Sequence, residues 1–389
     1  MKVVQIAPYS AYPPQSGAQN RIHGLMLGRG EDDTVTRFAT VELGNKTGTV
    51  NIASDYTEIR FSSLVTSGIG FLGSFFDAGQ VFASSGLRIA RPARLDGLIS
   101  DADVLVVETP WQIPYIDSIR PAGTPLVYSS HNFECEEYNF LGERLWSRPI
   151  YRSVQRIEQR ALELSDLIVV TSERDKHLYK KRFNVSGQFY IAVNGAMIER
   201  DEVTDDCSSP SNDLSGKRHW TAIFVGSSHK PNVRAVEQIL KLAKDRRIRT
   251  CPIEFQIVGS VCGSFRDESS PENVELIGFV DDLNPYYRQA DIALNPITTG
   301  GGTNVKVPEY FAHGLTVIST EYGMRGVPAE PGKHYVICEL GNFVEVIIKL
   351  LNDGGDRILT IGREAEALTK NQLNWRSVST EYFEVLRSL

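Results

Sequence analysis

The stretch DIALNPITTGGGTNVKVPEYFAHGLTVIS, residues 291–319, decides how this chain folds. It opens on a short apolar run, Ile292–Leu294, and closes on another, Thr316–Ser319. Between them stand three consecutive glycines, Gly300 to Gly302, and a segment that carries Pro308. Proline has no N–H to donate, so Pro308 belongs in the first turn of a helix. Gly314 ends that helix. The unit is strand, glycine loop, helix, strand. Fully apolar strands of this kind suit a parallel sheet covered on both faces.

The pattern extends outward in both directions. In the first half, strands are expected at Val3–Ala7, Thr57–Phe61, Val104–Val107, Leu126–Ser129, Leu167–Thr171 and Tyr190–Val193. In the second half they are expected at Thr221–Val225, Ile253–Val258, Val274–Leu276, Ile292–Leu294, Thr316–Ser319 and Tyr335–Cys338. Helical periodicity separates them, as in Pro149–Leu164, where Ile150, Val154, Ile157 and Ala161 repeat on one face. Between the halves lies ERDEVTDDCSSPSNDLSGKR, residues 199–218, polar throughout and punctuated by proline and glycine. The expected organisation is α/β: a first domain over 1–198, a linker over 199–218 and a second domain over 219–371. A C-terminal helix over 372–389 is expected to pack back on the first domain. Both domains read as doubly wound sheets, with a cleft where the carboxyl ends of their strands face each other.

Composition narrows the partners. The chain has 389 residues, with 41 Lys+Arg against 48 Asp+Glu and a net charge of −7. Such a balance argues against a general nucleic-acid binder, which needs a basic face. Five scattered cysteines form no CxxC or Cys/His cluster, so a disulfide framework and a structural zinc are not expected. A reduced, cytoplasmic chain without a signal peptide is the expectation. The apolar stretch from Phe61 to Phe76 is 16 residues long, short of the roughly 20 needed to span a bilayer. It reads as a buried helix or loop, with peripheral contact at the inner membrane face as the alternative.

Two motifs are weaker than they look. Gly68, Gly70 and Gly73 match GxGxxG, but the first strand of the chain, Val3–Ala7, ends in Pro8 and Tyr9 without such a glycine turn, and a flexible apolar loop is the simpler reading. Asp101 and Asp103 imitate a metal-binding DxD, yet they sit at a helix end and a strand start, where capping and solvation account for both. No metal is expected. The glycine-rich loop at 300–302 carries more. Lys306 and Glu309 are three apart and share a helix face, either as an exposed ion pair or as an anion site. In the second case Lys306 meets a diphosphate and Glu309 meets sugar hydroxyls. His131 follows a strand, where open α/β sheets bind ligands, and Asn132 is placed to cap the next helix. Gly17 is either a turn glycine or a point of close ligand approach, and Arg21 either contacts an anionic group or lies on the surface.

Several of these segments together resemble a known family. Phe279-Val280-Asp281-Asp282, Ala290-Asp291, the glycine loop with Lys306 and Glu309, and Gly314 to Thr320 look like the C-terminal domain of group 1 (family 4) glycosyltransferases. Pro13 to Gly17 with Arg21 is similar to that family's N-terminal glycine loop. Ser130-His131-Asn132-Phe133-Glu134 and Val193-Asn194-Gly195 fit it as well. Two features depart from the family pattern. Gly301 stands where many members carry a first glutamate, eight positions before Glu309. Ser227 and Asn232 stand where many carry an Arg–Lys pair, within a GSxxxxPN loop.

The resemblance implies the GT-B fold, two Rossmann-like domains about a central cleft. It implies a retaining glycosyltransferase that uses a nucleotide diphosphate sugar and needs no cofactor or metal. By this resemblance Lys306 and His131 are the catalytic candidates. Glu309, Gly301, Gly302, Thr303, Asn304, Val280, Gly226 and Lys230 would bind the donor, with Gly17 and Arg21 on an acceptor or diphosphate loop. The acceptor is a glycan, a lipid-linked glycan or a small molecule. A silent nucleotide-sugar-binding partner and a GT-B epimerase are the alternatives.

Overall fold

A computed structural model describes residues 1–74, 79–143, 147–183, 185, 187–198, 219–265, 270–353 and 355–389. The expected linker, 199–218, lies outside them. Fourteen strands run in chain order as β1 (Lys2–Ala7), β2 (Thr34–Thr40), β3 (Gly48–Ala53), β4 (Tyr56–Phe61), β5 (Val104–Val107), β6 (Leu126–Ser129), β7 (Leu167–Val170), β8 (Gln188–Ile191), β9 (Trp220–Val225), β10 (Ile253–Val258), β11 (Val274–Gly278), β12 (Ile292–Asn295), β13 (Thr316–Ser319) and β14 (Tyr335–Ile337). By their contacts the residues form two compact units. The first is Met1–Val193, Gly301–Thr303 and Arg376–Leu389, and the second is Asn194–Gly300 and Asn304–Trp375.

The first unit has one sheet of order β3-β4-β2-β1-β5-β6-β7-β8, parallel except for the β3–β4 pair at its edge. Its central strands are apolar on both faces because helices cover both. Val104–Val107, Leu126–Ser129 and Leu167–Val170 are buried along their full length. The expected strand at Tyr190–Val193 sits two residues earlier, at Gln188–Ile191. The helix Arg148–Leu164 buries Val154 and Ala161 on the expected face, and it also buries Glu158. The helix Trp375–Arg387 is tied in near its middle. Ser379 Oγ donates to the carbonyl of Leu25 at 2.6 Å and accepts from the N–H of Gly28 at 2.7 Å.

Strands β2 and β3 are absent from the sequence reading. β2, TVTRFAT, is interrupted by Arg37, which is fully buried. An interior guanidinium is tolerable only when paired and hydrogen-bonded. Glu58 on β4 supplies the partner, 2.8 Å from Arg37 Nη1, and Arg60 contacts its other oxygen at 2.8 Å. Glu58 also accepts from Ser10 Oγ at 2.6 Å and the Ala11 N–H at 3.0 Å. One buried carboxylate thus fixes the loop that leaves β1. Burial alone would raise its pKa, but these donors hold it below the usual glutamate value.

The segment of the GxGxxG pattern is a helix, Leu64–Ser74, rather than a loop. A Cβ on Gly73 would stand 2.7 Å from Phe82 of the neighbouring helix Gly79–Ala90, so this glycine serves helix packing. Residues 75 and 76 lie outside the described set. Among the described residues no helix is long and apolar enough to cross a membrane.

The second unit has a wholly parallel sheet of order β11-β10-β9-β12-β13-β14. Its core gathers Phe224, Phe255, Ile257 and Ile292 with helix residues such as Val236, Ile239 and Ile347.

Removing the carboxylate in Glu58→Ala leaves Arg37 buried without its ion-pair partner. Unfolding of the first unit should then cost about 3–5 kcal/mol less, measured by urea denaturation. A variant within 1 kcal/mol of the parent would refute this account of the loop anchor.

Candidate functional site

In the second sheet the strand order reverses between β9 and β12, since β10 and β11 extend one way and β13 and β14 the other. Loops leaving the carboxyl ends of strands at such a switch flank the ligand crevice of open α/β sheets. Here they are the loop after Val225, beginning at Gly226, and the glycine loop after Asn295. Gly259, after β10, has φ +109° and would place a Cβ 2.2 Å from the carbonyl oxygen of Gly226. Only glycine fits this backbone contact. The Gly226 N–H donates to Val258 O at 2.9 Å and Gly259 N–H donates to Gly278 O at 2.7 Å, which locks three strand ends together. Gly259 was invisible to motif reading, as it stands alone in sequence.

The glycine loop leads into a short helix, Lys306–Ala312, with Pro308 in its first turn and Gly314 at φ +67° just past its end. The loop is held by a chain of amides. Asn304 Nδ2 donates to Asn295 Oδ1 at 2.8 Å, and Asn295 Nδ2 donates to Ser319 Oγ and to Gly323 O, both at 3.0 Å. Tyr322 donates its hydroxyl hydrogen to Gly300 O.

Lys306 and Glu309 are not a simple exposed pair. The Lys306 ammonium lies 4.1 Å from the centroid of Phe224 and donates to Asn232 Oδ1 at 2.8 Å. Burial drives its pKa down to about 7, against a smaller upward pull from Glu309. Glu309 accepts from the hydroxyl of Tyr287 at 3.1 Å. His313 bonds the Glu309 carbonyl through Nδ1 at 2.8 Å and Asn284 through Nε2 at 3.0 Å. The Tyr310 hydroxyl accepts the N–H of Val225 at 2.9 Å and so pins the end of β9 to this helix. Asn232, which stands where many members of the resembled family carry one residue of an Arg–Lys pair, therefore has a definite task. Lys230 is exposed at the start of the helix Lys230–Ala243.

A cavity of about 530 Å³ opens beside these strand ends, lined by Gly259, Ser260, Leu276, Gly278 and Phe279. Val280 follows directly and is half-buried. Gly301, Gly302 and Thr303 complete the loop, with Gly302 at φ +56°.

In the first sheet the order reverses between β1 and β5. The loops there carry Gly17, which starts the helix Gly17–Gly24, and Glu108 after β5. His131 Nε2 lies 2.8 Å from Glu108 Oε2, and Gln5 Nε2 donates to Glu108 Oε1 at 2.5 Å. Burial favours the neutral acid at Glu108, but the bonds from His131 and Gln5 keep it ionised below the usual value. Arg21 is buried, 1% exposed, rather than on the surface. Burial lowers its pKa to about 10, with Glu108 acting in the opposite sense. It donates to Ala192 O at 2.8 Å. Sequence reasoning found His131 but missed Glu108, whose only signal was its place after a strand.

Asn132 does not cap the following helix, Glu134–Glu137, whose cap position is Phe133. Glu158 takes that task from a neighbouring helix and accepts the N–H groups of Glu134 at 2.8 Å and Cys135 at 2.9 Å. Burial pushes the Glu158 carboxyl up to about 7. Asp103, half of the apparent DxD, accepts the N–H of Lys2 at 2.6 Å and so joins two strand starts.

Residues 220–353 match the family model for Glycosyl transferases group 1. No curated protein matches the sequence. Among solved structures, sucrose-phosphate synthase from Thermosynechococcus elongatus is 13% identical with a TM-score of 0.72, covering 100% of this chain and 99% of that one. The trehalose-6-phosphate structure from E. coli bound with UDP-2-fluoro glucose is 12% identical, TM-score 0.70, over 100% and 99%. Anabaena HepE in complex with UDP is 14% identical, TM-score 0.65, over 100% of both chains. These likenesses establish the fold: the chain has the two-domain GT-B architecture.

A lysine whose folded pKa is about 7, against its usual 10.5, binds fewer protons folded than unfolded between those values. Stability must then rise with pH across that window. Denaturant unfolding followed from pH 7 to 10 should show an upward slope from this site that Lys306→Met lacks. Parallel pH dependences for the two proteins would contradict the buried position of the ammonium.

Proposed function

We propose that this chain is a retaining, metal-independent glycosyltransferase that moves a sugar from a nucleotide diphosphate sugar to an acceptor hydroxyl. The observation that carries the reading is Lys306, held beside a strand-end crevice by a neutral amide and an aromatic face. A half-buried lysine there is poorly solvated and gains from an anion (P–O oxygens of a diphosphate) brought against it. The match of residues 220–353 to group 1 glycosyltransferases supports the same reading.

In this account the base lies by Gly278–Val280 and the adjoining cavity, and Glu309 accepts hydrogen bonds from the ribose hydroxyls. The departing diphosphate meets Lys306, Thr303, Asn304 and the backbone of Gly301, Gly302 and Gly226. Charge grows on its oxygens as the glycosidic bond breaks, so a fixed cation lowers the barrier more than it aids binding. His131, oriented by Glu108, contacts a sugar. The acceptor hydroxyl attacks the same face and gives its proton to the leaving phosphate, which requires no protein nucleophile. Gly17 and Arg21 shape the loop that receives the acceptor, which is a glycan, a lipid-linked glycan or a small molecule. UDP is the first nucleotide to try, because the E. coli and Anabaena structures hold UDP compounds.

A thermal-shift panel of UDP-, GDP-, ADP- and dTDP-sugars should show one base that raises the melting temperature. With that donor, Glu309→Ala should weaken binding by about 1.5–3 kcal/mol. Lys306→Ala should lower turnover about 10²–10³-fold. Full activity in both variants would sink the site, and donor binding without any turnover would favour a silent nucleotide-sugar-binding protein.

A further inference from the structure

Six of the thirteen large apolar side chains that stand exposed among the described residues fall between Leu43 and Ile89. Five of the six stand on one helix pair of the first unit. In the helix Leu64–Ser74, Leu64 is 78% exposed, Phe71 67% and Leu72 59%. Positions 64, 68, 71 and 72 lie on one helical face, and a Cβ on Gly68 would meet nothing within 4 Å. The other face is committed to packing: Thr66 is 1% exposed and lies against Gly86 of the helix Gly79–Ala90. From the loop after β2, Leu43 adds a 52% exposed side chain, its N–H bonded to Ser67 Oγ at 3.1 Å. Ile89 adds another, 66% exposed.

The helix Leu64–Ser74 has no charged residue. Cations follow it closely instead. Arg88, Arg91 and Arg94 are all exposed, and Arg94 Nη2 donates to Thr49 Oγ1 of the edge strand β3 at 2.9 Å. Among the described residues of 42–49 and 64–96, the exposed carboxylates are Glu42 and Asp96. An apolar crest beside guanidinium groups is the make-up of an interfacial helix, whose apolar side enters the acyl boundary while arginines meet lipid phosphates. A two-fold pairing of chains through the same patch would set one arginine cluster against another, which disfavours a second copy as the occupant.

We propose that this helix pair docks the chain on an anionic phospholipid bilayer, without spanning it. The inference stands apart from the transferase reading. With a net charge of −7, the chain has no long-range attraction to such a surface, so apolar insertion and the local arginines must act together.

Flotation of the full chain with vesicles tests this. Phosphatidylglycerol–phosphatidylcholine vesicles should carry it at least about tenfold better than phosphatidylcholine alone, and added salt should reduce the difference. Leu64→Ser/Leu72→Ser should lower binding to both, and Arg88→Gln/Arg91→Gln should remove only the anionic preference. Unchanged circular-dichroism melting shows that these variants keep the fold, and Leu43→Ser serves as an independent variant should the first double substitution melt early. Absence of flotation, equal binding to both vesicles, or variants that float like the parent would overturn the proposal. So would a concentration-dependent dimer that the leucine substitutions dissolve.

Discussion

A parallel strand cannot turn directly into its neighbour; it must be followed by a crossover, usually a helix. Every strand then begins at one edge of the sheet and ends at the other, and all its outgoing loops collect on one side. The second unit obeys this without exception in its strand pairs. Gly226, Gly259, Gly278 and the loop after Asn295 are neighbours for that reason. The reversal of strand order between β9 and β12 then opens a gap that the interior side chains leave unfilled. What the chain puts at this gap is mostly backbone, amide and one ammonium.

The electrostatic arrangement follows from the packing. Phe224 must be buried, since it holds the centre of the sheet against the helices. Lys306 lies on that ring, so its ammonium, when charged, faces a quadrupole and a neutral amide more than bulk water. The same surroundings that lower its pKa make it responsive to an incoming anion. In the first unit the logic is reversed. Glu108 and Glu58 stay ionised although buried, because several donors converge on each. These carboxylates fix the loops after β1 and β6, and they orient His131.

Much of this frame can be read from the sequence, for a physical reason. Strands buried on both faces are uninterrupted apolar runs, and Val104–Val107, Leu126–Ser129, Ile253–Val258 and Thr316–Ser319 fall where their composition puts them. β2 and β3 escape because Arg37 breaks one and the other is a polar edge strand. Leu64–Ser74 resists because its three glycines look like loop residues, whereas one of them, Gly73, is there for close helix packing. The positions of Lys306 and Glu309 on one helix follow from their spacing of three. Their partners do not: Asn232 comes from 74 residues away, and Tyr287 from 22. Such pairings arise only when the sheet brings remote loops together. Asn132 shows the same limit, as a distant carboxylate, Glu158, caps the helix in its place.

The central claim is that Lys306 waits in a poorly solvated place for a diphosphate. Calorimetric titration with UDP at pH 8, in two buffers of different ionisation enthalpy, reads the protons exchanged on binding. A lysine of pKa about 7 is mostly neutral at that pH, and a bound diphosphate favours its charged form. The account predicts net proton uptake on binding, absent in Lys306→Met. Binding without proton uptake, or with equal uptake in the variant, would contradict it.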